Sequence, residues 1–343
     1  MHRCIYRLIL IPLIIPIAAP LYAEDTDLVV LTSGNRLTGV IREFKRGRLF
    51  FRINGAGGVD ISWHNVELLE SKKELDFELT SGEGLRGTII STTPGQLEIK
   101  TSAGSRTIAL EDIVWFKPVS ANRFRPTSAN AEGGFSFLQD GSVVDFTIDA
   151  QARNRTRNYL TKASLLSLVR RQSDADTVTR HDFELGARRF LHNRWFVLGQ
   201  FGLEQDGELD LDLRTVMYGA LGRTVIQSQR MLLALHGGVD YDREDYGGLG
   251  KTDHSAEALG GVEWDWFEPG GNTELLTDAT TYVSFDRPRV RFKLESGLHR
   301  DIFRDFFWGV GVFEAFDSNP PADLKENDFG IAFTFGLRFG RAF

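Results

Sequence analysis

The chain has 343 residues, enough for about two domains of average size. A hydrophobic fraction of 42% and a charged fraction of 25% exclude a disordered chain and a bundle of membrane-spanning helices. The formal net charge of −7 argues against a nucleic-acid binder that relies on bulk positive charge. A single cysteine, Cys4, excludes a disulfide framework and a zinc site built on cysteines.

The first 23 residues have the pattern of a secretory signal peptide. Arg3 and Arg7 precede an apolar run, which closes at Ala23 before the acidic Glu24. An uncleaved membrane anchor is the alternative, but three prolines and an apolar run shorter than about 18 residues argue against it. We therefore expect export and cleavage after Ala23, which leaves the mature chain without a thiol.

Residues 24–118 contain an internal duplication. The segment 31–41 recurs at 79–89, and both segments read Leu-Thr-Ser-Gly-x-x-Leu-x-Gly-x-Ile. In the first copy, apolar alternation and glycine turns predict short strands at 28–31, 36–44, 49–53, 59–63 and 66–69. Five such strands in so short a segment are typical of small SH3-like or Sm-like barrels. The sequence therefore predicts a duplicated SH3-like β domain.

Basic residues cluster on the expected second and third strands of the first copy. They are Arg42, Lys45, Arg46, Arg48 and Arg52. The simplest interpretation is a solvated strand face, and the alternative is a surface for an anionic envelope partner such as lipopolysaccharide or peptidoglycan. Sm-like folds often bind RNA, but an exported domain meets little RNA, so we expect no nucleic-acid partner. Residues 119–131 lack periodicity and predict a linker.

From residue 132 to residue 343 the sequence alternates over long segments. In the last segment Phe329, Ile331 and Phe333 share one face with the other odd positions, opposite small or polar residues. Segments of about 10 residues suit strands tilted across a bilayer, whereas soluble sandwiches usually have strands of about 5 or 6 residues. Twelve strands are expected, at roughly 132–139, 142–153, 159–170, 177–189, 194–204, 209–223, 230–241, 255–267, 273–285, 289–299, 306–317 and 328–339. The predicted fold class is all-β, with a transmembrane antiparallel β-barrel over 132–343.

The connections give this expected barrel an orientation. An even number of strands places both barrel ends on the same side of the membrane. The two longest connections, expected at 242–254 and 318–327, fall on the opposite side, and the short turn at 268–272 falls on the side of the termini. Long outer loops and short periplasmic turns are typical of the outer membrane. We therefore expect a Gram-negative outer-membrane location, with the duplicated domain in the periplasm.

The last expected strand is rich in aromatic residues, and Phe339 and Phe343 lie at its end. Outer-membrane barrels commonly finish in such a strand, which the barrel-assembly machinery recognises. The expected partners are therefore that machinery, outer-membrane lipid with lipopolysaccharide, and a periplasmic partner for residues 24–118.

Several sequence blocks carry a family resemblance. They are Asp206-Gly-Glu-Leu-Asp-Leu-Asp-Leu-Arg-Thr215, Gly219-Ala-Leu-Gly222, the segment 237–246, and Asp317-Ser-Asn-Pro-Pro-Ala322 with Asn327-Asp328. With these blocks, residues 133–340 resemble the YdiY-type salt-induced outer-membrane proteins, a family of unknown function. The resemblance implies a barrel in the outer membrane and supplies no catalytic residues. The duplicated domain and the last four residues depart from the family pattern.

Sequence motifs for catalysis, cofactors and metals are absent. No histidines pair at metal-ligand spacing, and the nucleophile-elbow, Walker and dinucleotide-binding motifs are missing. Carboxylates at 206–212 and 242–245 suggest calcium, but at a barrel mouth they are better explained as solvated groups or as groups that bridge lipopolysaccharide through divalent ions. We expect no cofactor, no metal site and no catalytic site.

Charged residues within the expected strands are candidates for the lumen. Arg214 and Arg338 can pair there with carboxylates of other strands, among them Glu263 and Asp265. Eight strands give a filled interior and sixteen give a water channel, so twelve strands do not decide between a pore and a closed barrel.

Three functions remain open. The first, which we favour, is a structural or channel-like outer-membrane protein in envelope or osmotic adaptation. The second is an outer-membrane lipid-modifying enzyme, which needs a Ser–His pair on one side of the wall. His181 and His236 are available for that pair, but no serine stands out in the sequence. The third is a barrel-anchored module whose duplicated domain binds a periplasmic partner.

Overall fold

The computed structural model describes residues 26–93, 95–119, 128–138, 143–171, 177–207, 211–246, 251–268, 271–303, 306–319 and 326–337. These residues form two antiparallel β-sheets, which confirms the predicted all-β class. Short 3-10 turns occur at Trp63–Asn65, Leu110–Asp112 and His192–Arg194. Within the described ranges, no helix has the length and apolar character needed to cross a membrane. The expected cleavage site at Ala23, and Arg338, Phe339 and Phe343, lie outside the described residues.

The first sheet contains both copies of the duplicated sequence. The first copy supplies β1 (Asp27–Leu31), β2 (Arg36–Lys45), β3 (Arg48–Ile53), β4 (Gly57–Ser62) and β5 (Val66–Glu70). The second copy supplies β6 (Leu75–Leu79), β7 (Gly84–Thr93), β8 (Gln96–Thr101), β9 (Gly104–Ala109) and β10 (Ile113–Pro118). In each copy the first strand pairs with the second and the fifth, and the second, third and fourth strands pair in order. The sequence repeat is therefore also a repeat of strand topology.

The two copies contact each other reciprocally. β10 of the second copy pairs with β2 of the first, with Phe116 opposite Phe44. In the other direction, the Thr92 hydroxyl on β7 donates a 2.6 Å hydrogen bond to the Leu69 carbonyl on β5. Strands β5 and β10 are equivalent in the repeat, and so are β2 and β7. The arrangement is therefore that of an isologous dimer within one chain.

One apolar core joins both copies. The Phe44 ring lies 4.4 Å from the Trp63 ring and 5.0 Å from the Phe116 ring, measured between centroids. All buried members of this core lie between Val29 and Phe116 in the sequence. Each large side chain buried there contributes about 1.5–3 kcal/mol. The core includes no residue of the second sheet, so the two copies together have the interior of an independent domain.

The second sheet has twelve strands in chain order. They are β11 (Ser128–Leu138), β12 (Val143–Arg155), β13 (Tyr159–Arg171), β14 (Val178–Phe190), β15 (Trp195–Asp206), β16 (Leu211–Gln227), β17 (Met231–Tyr246), β18 (Lys251–Phe267), β19 (Thr273–Ser284), β20 (Val290–Phe303), β21 (Phe306–Asp317) and β22 (Asn327–Leu337). Each strand pairs antiparallel with the next. Strand β11 begins at Ser128, inside the segment 119–131 that was expected to be a linker.

The long connection predicted at 242–254 is wrong. β17 continues to Tyr246 and β18 begins at Lys251, so most of that segment is paired strand. Polar side chains support this extension, since Tyr241 Oη lies 2.9 Å from His254 Nδ1 and Thr252 donates a 2.8 Å hydrogen bond to Asp245. The charged composition suggested a loop, but charged residues also extend a ladder when their partners stand in register.

The second sheet curves strongly. Arg188 on β14 and Glu263 on β18 form an ion pair of 2.7 Å between Nη2 and Oε2. In a flat sheet, four strand spacings of about 4.8 Å would hold these two strands about 19 Å apart. The sheet therefore curls toward the face that carries both residues, which we call the inner face. No ladder joins β11 to β22 among the described residues, so the structure shows a curved sheet and not a closed barrel.

The two ends of this sheet differ. We call the near end the one with the short turns 156–158, 191–194, 228–230 and 268–272, and the far end the one with the connection 318–326. The duplicated domain adjoins the near end, where Gln229 donates hydrogen bonds of 2.8 and 2.9 Å to the carbonyls of Leu110 and Ile113.

Candidate functional site

The outer face of the second sheet is apolar and exposed. Alternate residues of each strand point away from the curve, and large apolar ones are exposed on β12 through β22: Phe146, Leu165, Leu185, Val197, Leu221, Val239, Val262, Val283, Val290, Phe306 and Ile331. Soluble proteins rarely expose a contiguous apolar surface of this extent. The outer face therefore requires an apolar environment or a partner that covers it.

Aromatic residues border this apolar face at both ends of the sheet. Exposed rings at the near end include Tyr159, Trp195 and Trp264, and those at the far end include Tyr241 and Phe285.

The two aromatic borders are about one bilayer core apart. Tyr241 pairs with Ala256, and Trp264 lies eight residues further along β18. At about 3.4 Å per residue this distance is about 27 Å along the strand, or about 21 Å vertically for a tilt near 40°. Membrane barrels have an apolar band about 25 Å tall with an aromatic girdle at each edge.

The inner face encloses a cavity of about 950 Å³. Charged and polar side chains of β12 to β21 line the cavity, together with inward glycines such as Gly186 and Gly311. A Cβ built on either glycine would meet nothing within 4 Å. The cavity therefore exists partly because these inward positions lack side chains.

Two arginine-centred ion-pair clusters occupy the far half of the inner face. Arg214 on β16 bridges Glu204 on β15 and Glu244 on β17, with N–O distances of 2.8 and 2.6 Å. Arg291 on β20 pairs with the buried Glu257 on β18 and lies 3.4 Å from Asp242 on β17. The Arg214 cluster joins residues that stand directly opposite one another on neighbouring strands. The Arg291 cluster spans β17 to β20, so it stabilises the curvature of the sheet.

The near half of the inner face carries the remaining predicted lumen residues. Glu263 pairs with Arg188, and Asp265 lines the same cavity. Arg153 lines the cavity too, and its Nε is buried without a hydrogen-bond partner. The structure thus places Arg214, Glu263 and Asp265 on one cavity wall but does not pair Arg214 with either carboxylate. Arg338 lies outside the described residues.

Four ion-pair partners on the inner face were not among the predicted lumen residues. They are Arg188, Glu204, Glu244 and Glu257, of which Glu244 was expected as one of the solvated or divalent-bridging carboxylates at 242–245. Strand parity is the signal that points to them, since each stands an even number of residues from a known inward position on its strand. The pairs Arg188–Glu263 and Arg291–Glu257 skip strands and could not be read from the sequence. Arg214 instead stands directly opposite Glu204 and Glu244 in the two neighbouring ladders.

A Ser–His pair also occurs, on the outer face. Ser167 Oγ on β13 lies 3.0 Å from His181 Nδ1 on β14, and the two residues stand opposite each other in the ladder. An acyl-transfer site also needs donors for the oxyanion, usually free backbone N–H groups. Ser167 is paired with Ile148 on β12 and with His181 on β14, so its backbone groups form the hydrogen bonds of the sheet. The geometry is that of a cross-strand pair in which the backbone of Ser167 itself supplies no free oxyanion donor.

No cluster of three or more metal-ligating side chains converges among the described residues. Apart from Asp265, the inner-face carboxylates named above lie within ion-pair distance of arginines.

These features define the chain as an antiparallel all-β protein with an apolar outer face and a charged inner cavity. Residues 141–339, more than half of the chain, match the family described as "Protein of unknown function, DUF481". The chain belongs to this family. No curated protein and no solved structure matches it.

Proposed function

We propose that residues 128–337 form a β-barrel that spans the outer membrane, and that the protein is a structural or channel-like component of the envelope. The closed barrel, the export signal and the finer resemblance to YdiY-type salt-induced proteins all belong to this proposal. The far end of the sheet lies at the cell surface, and the duplicated domain lies in the periplasm.

One observation carries the proposal: the same strands are apolar and exposed on one face and charged on the other. On β16, Leu221 is 49% exposed on the outer face, and Arg214 on the inner face holds two carboxylates. A soluble sandwich buries its apolar face against a second sheet. Here the charged face is enclosed and the apolar face is open, which is the arrangement of membrane barrels.

Strand length and the aromatic borders support the same conclusion. β16, β17 and β18 have 16 or 17 residues, whereas about 9–11 tilted residues suffice to cross the bilayer core. The additional residues lie mainly at the far end, beyond Tyr241, where the polar cross-strand contacts begin. The strands therefore continue into water, as expected for a surface-exposed rim.

Refolding tests this proposal. We expect the protein to fold only in detergent or lipid, to resist protease there, and to migrate differently on a gel before and after boiling. Folding in plain buffer with no shift on boiling would contradict the barrel. The matched control is residues 24–118 alone, which we expect to be soluble and to show no such shift.

A further inference from the structure

The duplicated domain forms the floor of the inner cavity. Glu43, Lys45 and Arg46 of the first copy and Glu78 and Trp115 of the second line the same cavity as the strands of the second sheet. We propose that this domain is a plug that closes the near end of the lumen and must leave its seat before solutes pass. This inference rests on the proposed channel-like barrel and names how that barrel is regulated.

The first copy docks through the turn between β2 and β3. Arg46 Nη1 lies 2.6 Å from Glu274 Oε2 at the start of β19, and Arg48 Nη1 lies 3.3 Å from Asp301 Oδ2 near the end of β20. The Arg46 guanidinium also stacks over the Phe267 ring at 4.5 Å. The interpretation of Arg46 and Arg48 as part of a solvated face is therefore wrong, since both contact the near end of the second sheet.

The second copy docks on a different part of the near end. Glu78 on β6 forms an ion pair with Arg155 on β12 and accepts a 2.8 Å hydrogen bond from Gln227 at the end of β16. The Arg155 guanidinium lies 5.1 Å from the Trp115 ring of β10. The charged contacts of the first copy are thus on β19 and β20 and those of the second copy on β12 and β16, so the duplication provides two attachment points across one opening.

The docking positions are also where the two copies differ. Arg46 corresponds to Pro94 in the second copy, and Glu78 corresponds to Val30 in the first, at the repeat distance of 48 residues. The turn sequence Leu-Thr-Ser-Gly is identical in both copies, and in the second copy it also adjoins the near end, since a Cβ built on Gly82 would lie 2.5 Å from Arg194 Cγ. The charges that bind the second sheet therefore belong to individual copies and not to the repeated fold.

The contact can separate without unfolding either part. Its ion pairs keep some exposure to water, with Arg46 31% and Glu274 17% exposed and with Arg155 13% and Glu78 14% exposed. The apolar core of the plug includes no residue of the second sheet. A polar interface between two independent cores is the type that permits relative motion.

A disulfide tests the seat of the plug. A Cβ built on Gly47 would lie 3.9 Å from the Cβ of Gln229, within the range of about 3.5–4.5 Å found in disulfides. In the full chain carrying Cys4→Ser, we expect Gly47→Cys with Gln229→Cys to cross-link on oxidation in membranes. The control pair is Gly57→Cys with Gln229→Cys, because Gly57 has a similar positive φ and open space around it. A cross-link yield no higher than that of the control pair would overturn the plug.

Conductance tests the closure. The double variant Arg46→Glu, Arg48→Glu faces Glu274 and Asp301, so repulsion replaces two ion pairs. In planar bilayers we expect at least a tenfold rise in conductance for the full-length variant. Adding Glu274→Arg and Asp301→Arg should return it to the wild-type level, and the cross-linked form should stay closed until it is reduced.

A charge-matched control uses residues away from the contact. Lys72→Glu with Lys100→Glu changes two exposed lysines of the same domain and should leave conductance at the wild-type level. Unchanged conductance in the Arg46, Arg48 variant, or equal conductance in the cross-linked and reduced forms, would overturn the gate. Failure of the barrel itself is distinguishable, because it appears as the missing gel shift, which does not depend on the plug.

Discussion

The substitution Leu221→Arg distinguishes a membrane barrel from a soluble sheet. Leu221 on β16 stands in one row with Gly237 and Gly260, and Gly260 lies midway along β18 between Ala256 and Trp264. The row therefore lies between the two aromatic borders, four residues from Trp264 along β18 and two residues from the Arg223–Trp195 pair along β16. In a bilayer, Leu221→Arg should cost about 1–4 kcal/mol, because it lies between the interface, where a cationic side chain costs about 0–1 kcal/mol, and the midplane, where it costs about 2–4 kcal/mol. In water, the same change at a half-exposed position should cost about 0.5 kcal/mol or less.

Val225 on the same strand provides the matched control. It is 45% exposed on the same face but lies beyond Arg223, which pairs with Trp195 at the near aromatic border. Val225→Arg should therefore cost at most about 1 kcal/mol, since the cost falls near the interface. The assay is equilibrium folding into lipid vesicles across a denaturant series, with the gel shift as readout. Equal and small effects for both variants would refute the membrane assignment of the outer face.

Three further predictions concern the plug and the cavity. Residues 24–118 should fold alone as a soluble β domain, and a coil-like circular dichroism spectrum of this fragment would contradict the independent core. In denaturant melts of the fragment, Phe116→Ala should lower the unfolding free energy by about 3–5 kcal/mol, whereas the exposed Ile90→Ala should change it little. The pKa of Glu43 lies below its ordinary value of 4.5, because burial, which alone would raise it, is outweighed by the charge of Lys45 and by hydrogen bonds from Lys45 and Trp115. The stability that ionised Glu43 contributes should therefore be present above about pH 4.5 and be lost as the pH falls through the folded pKa. Glu43→Gln should flatten the acid side of the plot of unfolding free energy against pH. Parallel plots for the variant and the wild type would disprove this prediction. In the Arg46→Glu, Arg48→Glu background, Gly311→Phe should reduce conductance because it fills the cavity, whereas Gly260→Phe on the outer face should not. An equal effect of the two substitutions would contradict the assignment of the inner and outer faces.

Local patterns in the sequence were sufficient to predict the strands and which residues lie on each of their faces. The glycine turns of the repeat predicted the five strands of the first copy close to their observed bounds, because tight turns need positive φ and short strands need alternation. Alternation likewise separated Trp195 and Val197, which are exposed, from Phe196, which is buried. These features depend on neighbours along the chain, which the sequence displays directly.

The connection at 242–254 shows where this reasoning failed. Its charged residues are typical of a loop, but Asp242 and Ser255 stand opposite each other in the extended ladder of β17 and β18. Whether a polar residue extends a strand depends on what lies across from it, and composition does not contain that information.

The cavity and its closure were decided by the tertiary structure alone. Parity placed Glu263 inward, but its partner Arg188, four strands away, became a contact only when the sheet curled. Arg214 instead meets Glu244 directly across the neighbouring ladder. Arg46 appeared in the sequence as one of several basic residues, and its partner Glu274 lies 228 residues away. Side-chain type and alternation, which are local, fixed the fold class and the two faces of the second sheet. The ion pairs and the seat of the plug join residues remote in the chain, so only the folded arrangement of the two sheets determined them.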